Sequence, residues 1–99
     1  MYARITIIQL LPGKTDEAIA IYRDSVAPAA KQQKGFKGVY LLADRKMGKT
    51  ISIAFWETEA DMKASESSDY YKQQFAKLAP FDATRPALVD YNVNLLETS

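Results

Sequence analysis

The nine residues Thr50-Ile51-Ser52-Ile53-Ala54-Phe55-Trp56-Glu57-Thr58 constrain the fold more than any other segment of this chain. Their β-branched and aromatic content predicts a strand. Successive strand side chains leave by opposite faces, so Ile51, Ile53 and Phe55 share one face while Ala54 and Trp56 share the other. Strands of antiparallel sheets commonly turn one face to water and alternate apolar with polar. This strand is apolar on both sides. Each face needs a cover, and 99 residues supply few elements to provide one.

The remaining elements follow from periodicity and punctuation. Tyr2–Leu11 predicts a first strand, with Ile5 and Ile7 on one face and Thr6 and Ile8 on the other, ended by Pro12-Gly13. Thr15 is the expected N-cap of a helix, followed by Asp16 and Glu17 where the helix dipole favours acids. Ile19, Tyr22, Val26 and Ala29/Ala30 recur at helical spacing, so the helix should run from about Asp16 toward Lys34, kinked at Pro28 and stopped by Gly35. Phe36–Asp44 is a second strand and Arg45–Lys49 a hairpin loop, with Gly48 suited to a positive φ. Thr58 with Asp61 three residues on has the form of a cap opening a second helical region. That region weakens through Ser65-Glu66-Ser67-Ser68 and restarts at Asp69. Its seam is Tyr71, Phe75 and Leu78, and Pro80 closes it. Pro86–Leu96 alternates as a last strand.

The order is βαββαβ, which predicts an α+β, ferredoxin-like fold: one domain over residues 1–99, with both helical regions on one face of a four-stranded antiparallel sheet. The other sheet face is left bare, and Ile5, Ile7, Val39, Leu41 and side chains of the last strand are expected on it. Such a patch exceeds what a monomer leaves exposed, and a second copy is the simplest cover, so a homodimer is expected; docking of another protein is the alternative.

Composition closes several routes. Cysteine and histidine are both absent. That removes disulfides, thiolate nucleophiles, the histidine-based triad and the commonest metal and haem ligand. Thirteen basic residues balance twelve acidic ones, which argues against nucleic acid or an anionic membrane surface as partner. No apolar stretch approaches a membrane span, and the N-terminus reads as a strand rather than a signal peptide, so a cytoplasmic location is expected.

The Leu11-Pro12-Gly13 turn, Gly35-Phe36 after a proline-bearing helix, and a strand ending Phe55-Trp56-Glu57 before a helix and an Asp-Tyr-Tyr segment together resemble the antibiotic biosynthesis monooxygenase family. The resemblance implies a dimeric α+β barrel with one pocket per subunit between the sheet and its own helices. Several such proteins oxidise aromatic polyketides or quinols with dioxygen and no flavin, haem or metal, so the resemblance implies no cofactor. Trp56 matches the pocket tryptophan of polyketide-oxidising members. Ser52 and Met62 stand where those members carry asparagine and tyrosine. Phe75, Thr6 and Ser65 stand where haem-degrading members carry histidine, asparagine and tryptophan, which argues against haem degradation.

Candidate site residues each admit a plainer reading. Trp56 is a pocket wall, or a core residue against Tyr22 and Phe75. Tyr22, Tyr71 and Phe75 line a pocket, Tyr71 offering a phenol, or they are ordinary core. Arg4, beside Thr6 on the helix-facing side of the first strand, holds a phenolate or carboxylate; otherwise it reaches solvent or pairs with Asp90. Asn92 and Asn94 offer amide donors, or face solvent or the dimer interface. Asp44 to Lys49 and Ser65 to Asp69 read as solvated loop and cap residues without chemistry. The implied activity is cofactor-independent oxidation of a small phenolic, quinol or polyketide-like molecule, with Trp56, Arg4 and Tyr71 as catalytic candidates and Trp56, Tyr22, Phe75, Thr6 and Asn92 binding the ligand. The alternatives are a non-catalytic small-molecule binding or protective homodimer, and a structural dimerising partner for another protein.

Overall fold

The computed structural model describes residues 1–81 and, as backbone, residues 87–92. Four strands, β1 (Tyr2–Gln9), β2 (Phe36–Asp44), β3 (Lys49–Trp56) and β4 (Ala87–Asn92), form one sheet in the order β2-β3-β1-β4. All pairings are antiparallel. This is the expected ferredoxin-like arrangement, with the two-faced strand β3 next to β1 near the middle of the sheet. The expected strand Pro86–Leu96 is described over Ala87–Asn92; its other residues, Asn94 among them, and all β4 side chains, including Asp90 and Asn92, lie outside the described residues.

Register carries the two-faced logic across the sheet. Thr6 lies opposite Ser52, Arg4 opposite Ala54 and Ile5 opposite Ile53. Arg4, Thr6, Ile8, Thr50, Ser52 and Trp56 are buried on the helix side, whereas Ile5, Ile7, Ile51, Ile53 and Phe55 are only partly covered. The second strand corrects one expectation. Val39 pairs with Ala54 and Leu41 with Ser52, so both turn toward the helices rather than the bare face. The cause is a bulge between Phe36 and Gly38, which adds a residue and shifts the alternation. Tyr40 and Leu42 take their place on the bare face, 66% and 52% exposed.

The first helical region is segmented. It consists of α1 (Thr15–Ile21), a π-turn over Tyr22–Val26 and a short α2 (Ala27–Ala30). Thr15 is not the cap: Lys14 takes that position, the Lys14 carbonyl accepts the Ala18 N–H at 3.0 Å, and Thr15 is buried as the first helical residue. The Ala27 N–H reaches back five residues to the Tyr22 carbonyl. Pro28 has no N–H for the Asp24 carbonyl, and a widened turn before it absorbs the missing bond. The chain leaves α2 through turns ending at Gly35, whose φ is +81°. The Gly35 carbonyl accepts the Glu57 N–H at 2.7 Å, which ties the start of β2 to the end of β3.

The second region is α3 (Glu59–Glu66) and α4 (Asp69–Ala76), interrupted at the serines as expected, then a 3₁₀ turn over Ala79–Phe81. The Thr58 hydroxyl accepts the Asp61 N–H at 3.0 Å, the expected cap. Ser68 extends the chain, and its hydroxyl donates to the Ser65 carbonyl, closing α3. Ser25, in the π-turn, donates to Gln74 at 2.7 Å and joins the two helical regions. Among the described residues no helix is long and apolar enough to cross a membrane.

Candidate functional site

The layer between sheet and helices has two ends of different character. At one, Ile8, Leu10, Ala18, Tyr22, Val26 and Leu78 pack into an apolar cluster with Phe75, Phe81 and Leu41 against it. At the other, where β1 begins and β3 ends, the side chains close less tightly. A cavity of about 40 Å³ lies there, lined by Arg4, Thr6, Ser52, Ala54 and Trp56 from the sheet and by Tyr22, Met62, Ser65, Glu66, Tyr70, Tyr71 and Phe75 from the helices. Small residues make the space: Thr6, Ser52 and Ala54 lie across from the helices where longer side chains would fill it.

The structure brings six predicted site residues, Trp56, Arg4, Tyr22, Thr6, Tyr71 and Phe75, around this one space. Trp56 is 3% exposed and packs edge-on against Phe36 with ring centroids 5.5 Å apart. Tyr22 meets Phe75 edge-on at 6.3 Å, and Tyr71 lies over Phe75 at 4.5 Å. These rings form an aromatic wall around the opening. The Asn92 backbone sits opposite Tyr2, and its side chain is outside the described residues.

Arg4 neither reaches solvent nor marks the strand's exposed end. It is buried, and its guanidinium pairs with the Glu66 carboxylate. A guanidinium among apolar walls needs a counter-charge, because desolvation there would otherwise cost several kcal/mol. Glu66 supplies it from the last residue of α3. This corrects the reading of Ser65 to Asp69 as solvated: Ser65 is buried and Glu66 points inward. Tyr70 is half-buried, and burial raises its phenol above the ordinary tyrosine range, opposed in part by a hydrogen bond with the Ser65 side chain.

Sequence reasoning missed Glu66, Tyr70 and Phe36 as lining residues, and gave Met62 and Ser65 only as positions where family members carry tyrosine and tryptophan. The signal for Glu66 was helical spacing, since it lies four residues after Met62 and shares its face. Phe36 was hidden by the bulge that follows it. Chemically, the arrangement offers a cation to hold an anion, phenols and hydroxyls to donate hydrogen bonds, and a ring-lined wall. Among the described residues no three of His, Cys, Asp and Glu converge as metal ligands. An aromatic ring needs a cavity of about 150 Å³. At about 40 Å³ the space is too small, so a ring enters only if lining side chains move.

Residues 1–77 match the family model described as antibiotic biosynthesis monooxygenase. Two uncharacterised proteins of Mycobacterium tuberculosis, Rv2558 and Rv2557, are each 45% identical over 65 residues, 66% of this chain. The match spans 28% and 29% of their lengths, so the chain accounts for under a third of these curated relatives. A Bordetella bronchiseptica protein assigned to the antibiotic biosynthesis monooxygenases superposes with a TM-score of 0.84 at 19% identity, over 95% of this chain and 97% of the other. A point mutant of SnoaB, a cofactor-independent oxygenase from Streptomyces nogalater, gives 0.80 at 14% identity, over 96% and 94%. A Nitrosomonas europaea protein assigned to the same family gives 0.81 at 17%, over 96% and 100%. Those structural likenesses carry the fold. With the family model spanning 77 of its 99 residues, the chain belongs to the antibiotic biosynthesis monooxygenase family.

Proposed function

We propose that this chain forms a homodimeric, cofactor-independent oxygenase acting on a small phenolic, quinol or polyketide-like molecule held between sheet and helices. The observation that carries the reading is a buried arginine, Arg4, set in an aromatic-walled cavity with Trp56. An electron-rich phenolate can pass an electron to dioxygen unaided. The resulting radical pair recombines to a peroxide, whose O–O bond breaks as a carbonyl forms and water leaves, so that a ring CH2 and O2 become C=O and H2O. The protein's work is to favour the phenolate beside Arg4, hold the ring against Trp56, Tyr22 and Phe75, and keep water from the adduct. Tyr71 supplies a phenol at the same wall.

The dimer half of the proposal rests on the bare sheet face. Tyr40 and Leu42 are more than half exposed there beside partly covered Ile5, Ile7, Ile51, Ile53 and Phe55. An isologous pairing of two such faces covers them all.

A binding-only reading is favoured by one observation: Ser52 and Met62 line the cavity where polyketide-oxidising members carry asparagine and tyrosine. Oxygen uptake separates the two. With a panel of anthrones, naphthols and quinols the oxygenase reading expects uptake above the uncatalysed rate. Loss of about 1.4 kcal/mol of transition-state stabilisation in Trp56→Phe would slow it about tenfold. No uptake with any of them, together with a small molecule retained in native mass spectrometry, establishes the binding reading instead.

A further inference from the structure

The cavity does not stand alone. Beside it, along the edge of the sheet, runs an open groove of about 310 Å³ lined by Ile19, Tyr22, Arg23, Ala27, Val39 and Leu41. Tyr22, Ala27 and Val39 line the cavity as well, so the two spaces meet at a neck formed by those three residues. Two features of the chain build this arrangement. The strand β2 is an edge strand, and its bulge turns Val39 and Leu41 toward the helices. Ala27 follows the π-turn as the first residue of α2, and its single methyl group keeps the neck from closing. Beyond the neck the walls are aliphatic: Ile19 from α1 and Leu41 from β2, both half-buried. The one charged residue of the groove, Arg23, is exposed at the rim and pairs with Asp24 at 2.8 Å.

Resting on the reading of this cavity as a ligand site, we propose that the groove is its second subsite, and that it takes the aliphatic tail of a phenol or quinol whose ring lies in the cavity against Trp56. Volume and shape both support the division. The cavity holds about 40 Å³, so it favours the smallest ring, whereas the groove at about 310 Å³ exceeds what a ring needs and has no ring of its own to fill it. The neck between them narrows the path, and a flexible chain threads it where a rigid fused ring system needs its full width. Aliphatic walls hold such a tail by removing its surface from water. A carboxylate at the end of the tail would lose hydration among those walls, and the guanidinium at the rim already has its counter-charge. Selectivity then arises from the length of an uncharged tail, with Ile19 and Leu41 setting how much of it is covered.

The test measures binding of 4-methylphenol and 4-hexylphenol to the full chain by equilibrium dialysis under argon, where oxygenation consumes neither ligand. The proposal expects the hexyl compound to bind at least tenfold more tightly than the methyl one. Ile19→Phe and Leu41→Phe narrow the groove from opposite walls, at residues that do not line the cavity. Each should cut that preference to less than threefold, and either one carries the test should the other fail to fold. Equal affinities in the wild type, or a preference kept in either folded variant, would overturn the role of the groove and leave the cavity reading intact. Binding of neither phenol by the wild type would overturn both.

Discussion

Trp56 has two roles that different substitutions separate. Its indole is 3% exposed and packs edge-on against Phe36, so truncation to alanine removes a large buried ring. We expect Trp56→Ala to cost about 3–5 kcal/mol, read as a fall in thermal midpoint. Trp56→Phe keeps most of that packing, and its effect should appear in ligand binding more than in stability. Tyr70 gives a pH test. Burial holds its phenol above the ordinary value, so the folded chain keeps that proton more tightly than the unfolded one. Its contribution is fully present below the ordinary tyrosine pKa of about 10 and is lost as pH rises through the raised folded value. Tyr70→Phe should therefore flatten the alkaline limb of the stability profile; an unchanged limb would contradict the assignment. Trp56 and Arg4 were legible because strand parity places them. Glu66 was not, since a glutamate before two serines reads as solvated until the helix is seen to turn it inward.

At the scale of elements, the junctions position the site. Gly35 joins the helical region to β2 at φ +81°, and a Cβ there would run into the Asp61 side chain. Gly35→Ala should cost about 2–4 kcal/mol, from the left-handed backbone together with overpacking. Asp61→Ala in the same chain removes the carboxyl from that clash but leaves the Asp61 Cβ 2.7 Å away, so it should recover only part of the overpacking cost, measurable by denaturant titration; full recovery of the wild-type midpoint would contradict a backbone contribution. The break between α3 and α4 was legible in the serine run, and the Thr58 cap in its spacing to Asp61. The bulge in β2 was not, because nothing in Phe36-Lys37-Gly38 announces an added residue, and it sent Val39 and Leu41 to the wrong face. The π-turn was anticipated only as a kink, since Pro28 shows that a bond is lost but not how the ladder adjusts.

For the whole molecule, the strand Lys49–Trp56 turns one face toward the cavity, and the other is the face that the proposed dimer would cover. Tyr40 and Leu42 are exposed in the single chain, so charging them should barely affect folding. Sedimentation equilibrium should show a dimer for the wild type and a monomer for Tyr40→Lys with Leu42→Lys; a dimer in both would move the interface elsewhere. The βαββαβ order and the sheet were readable from pattern alone, because each element is short and sharply punctuated. The size of the cavity was not, because it depends on how side chains from several elements interdigitate. The central claim, that this interior admits a ring, is met most directly by a crystal structure of the chain grown with 1-hydroxy-2-naphthoate. The account predicts the naphthyl ring inside the cavity against Trp56. An interior unchanged at a saturating ligand concentration, with no ring beside Trp56, would contradict it.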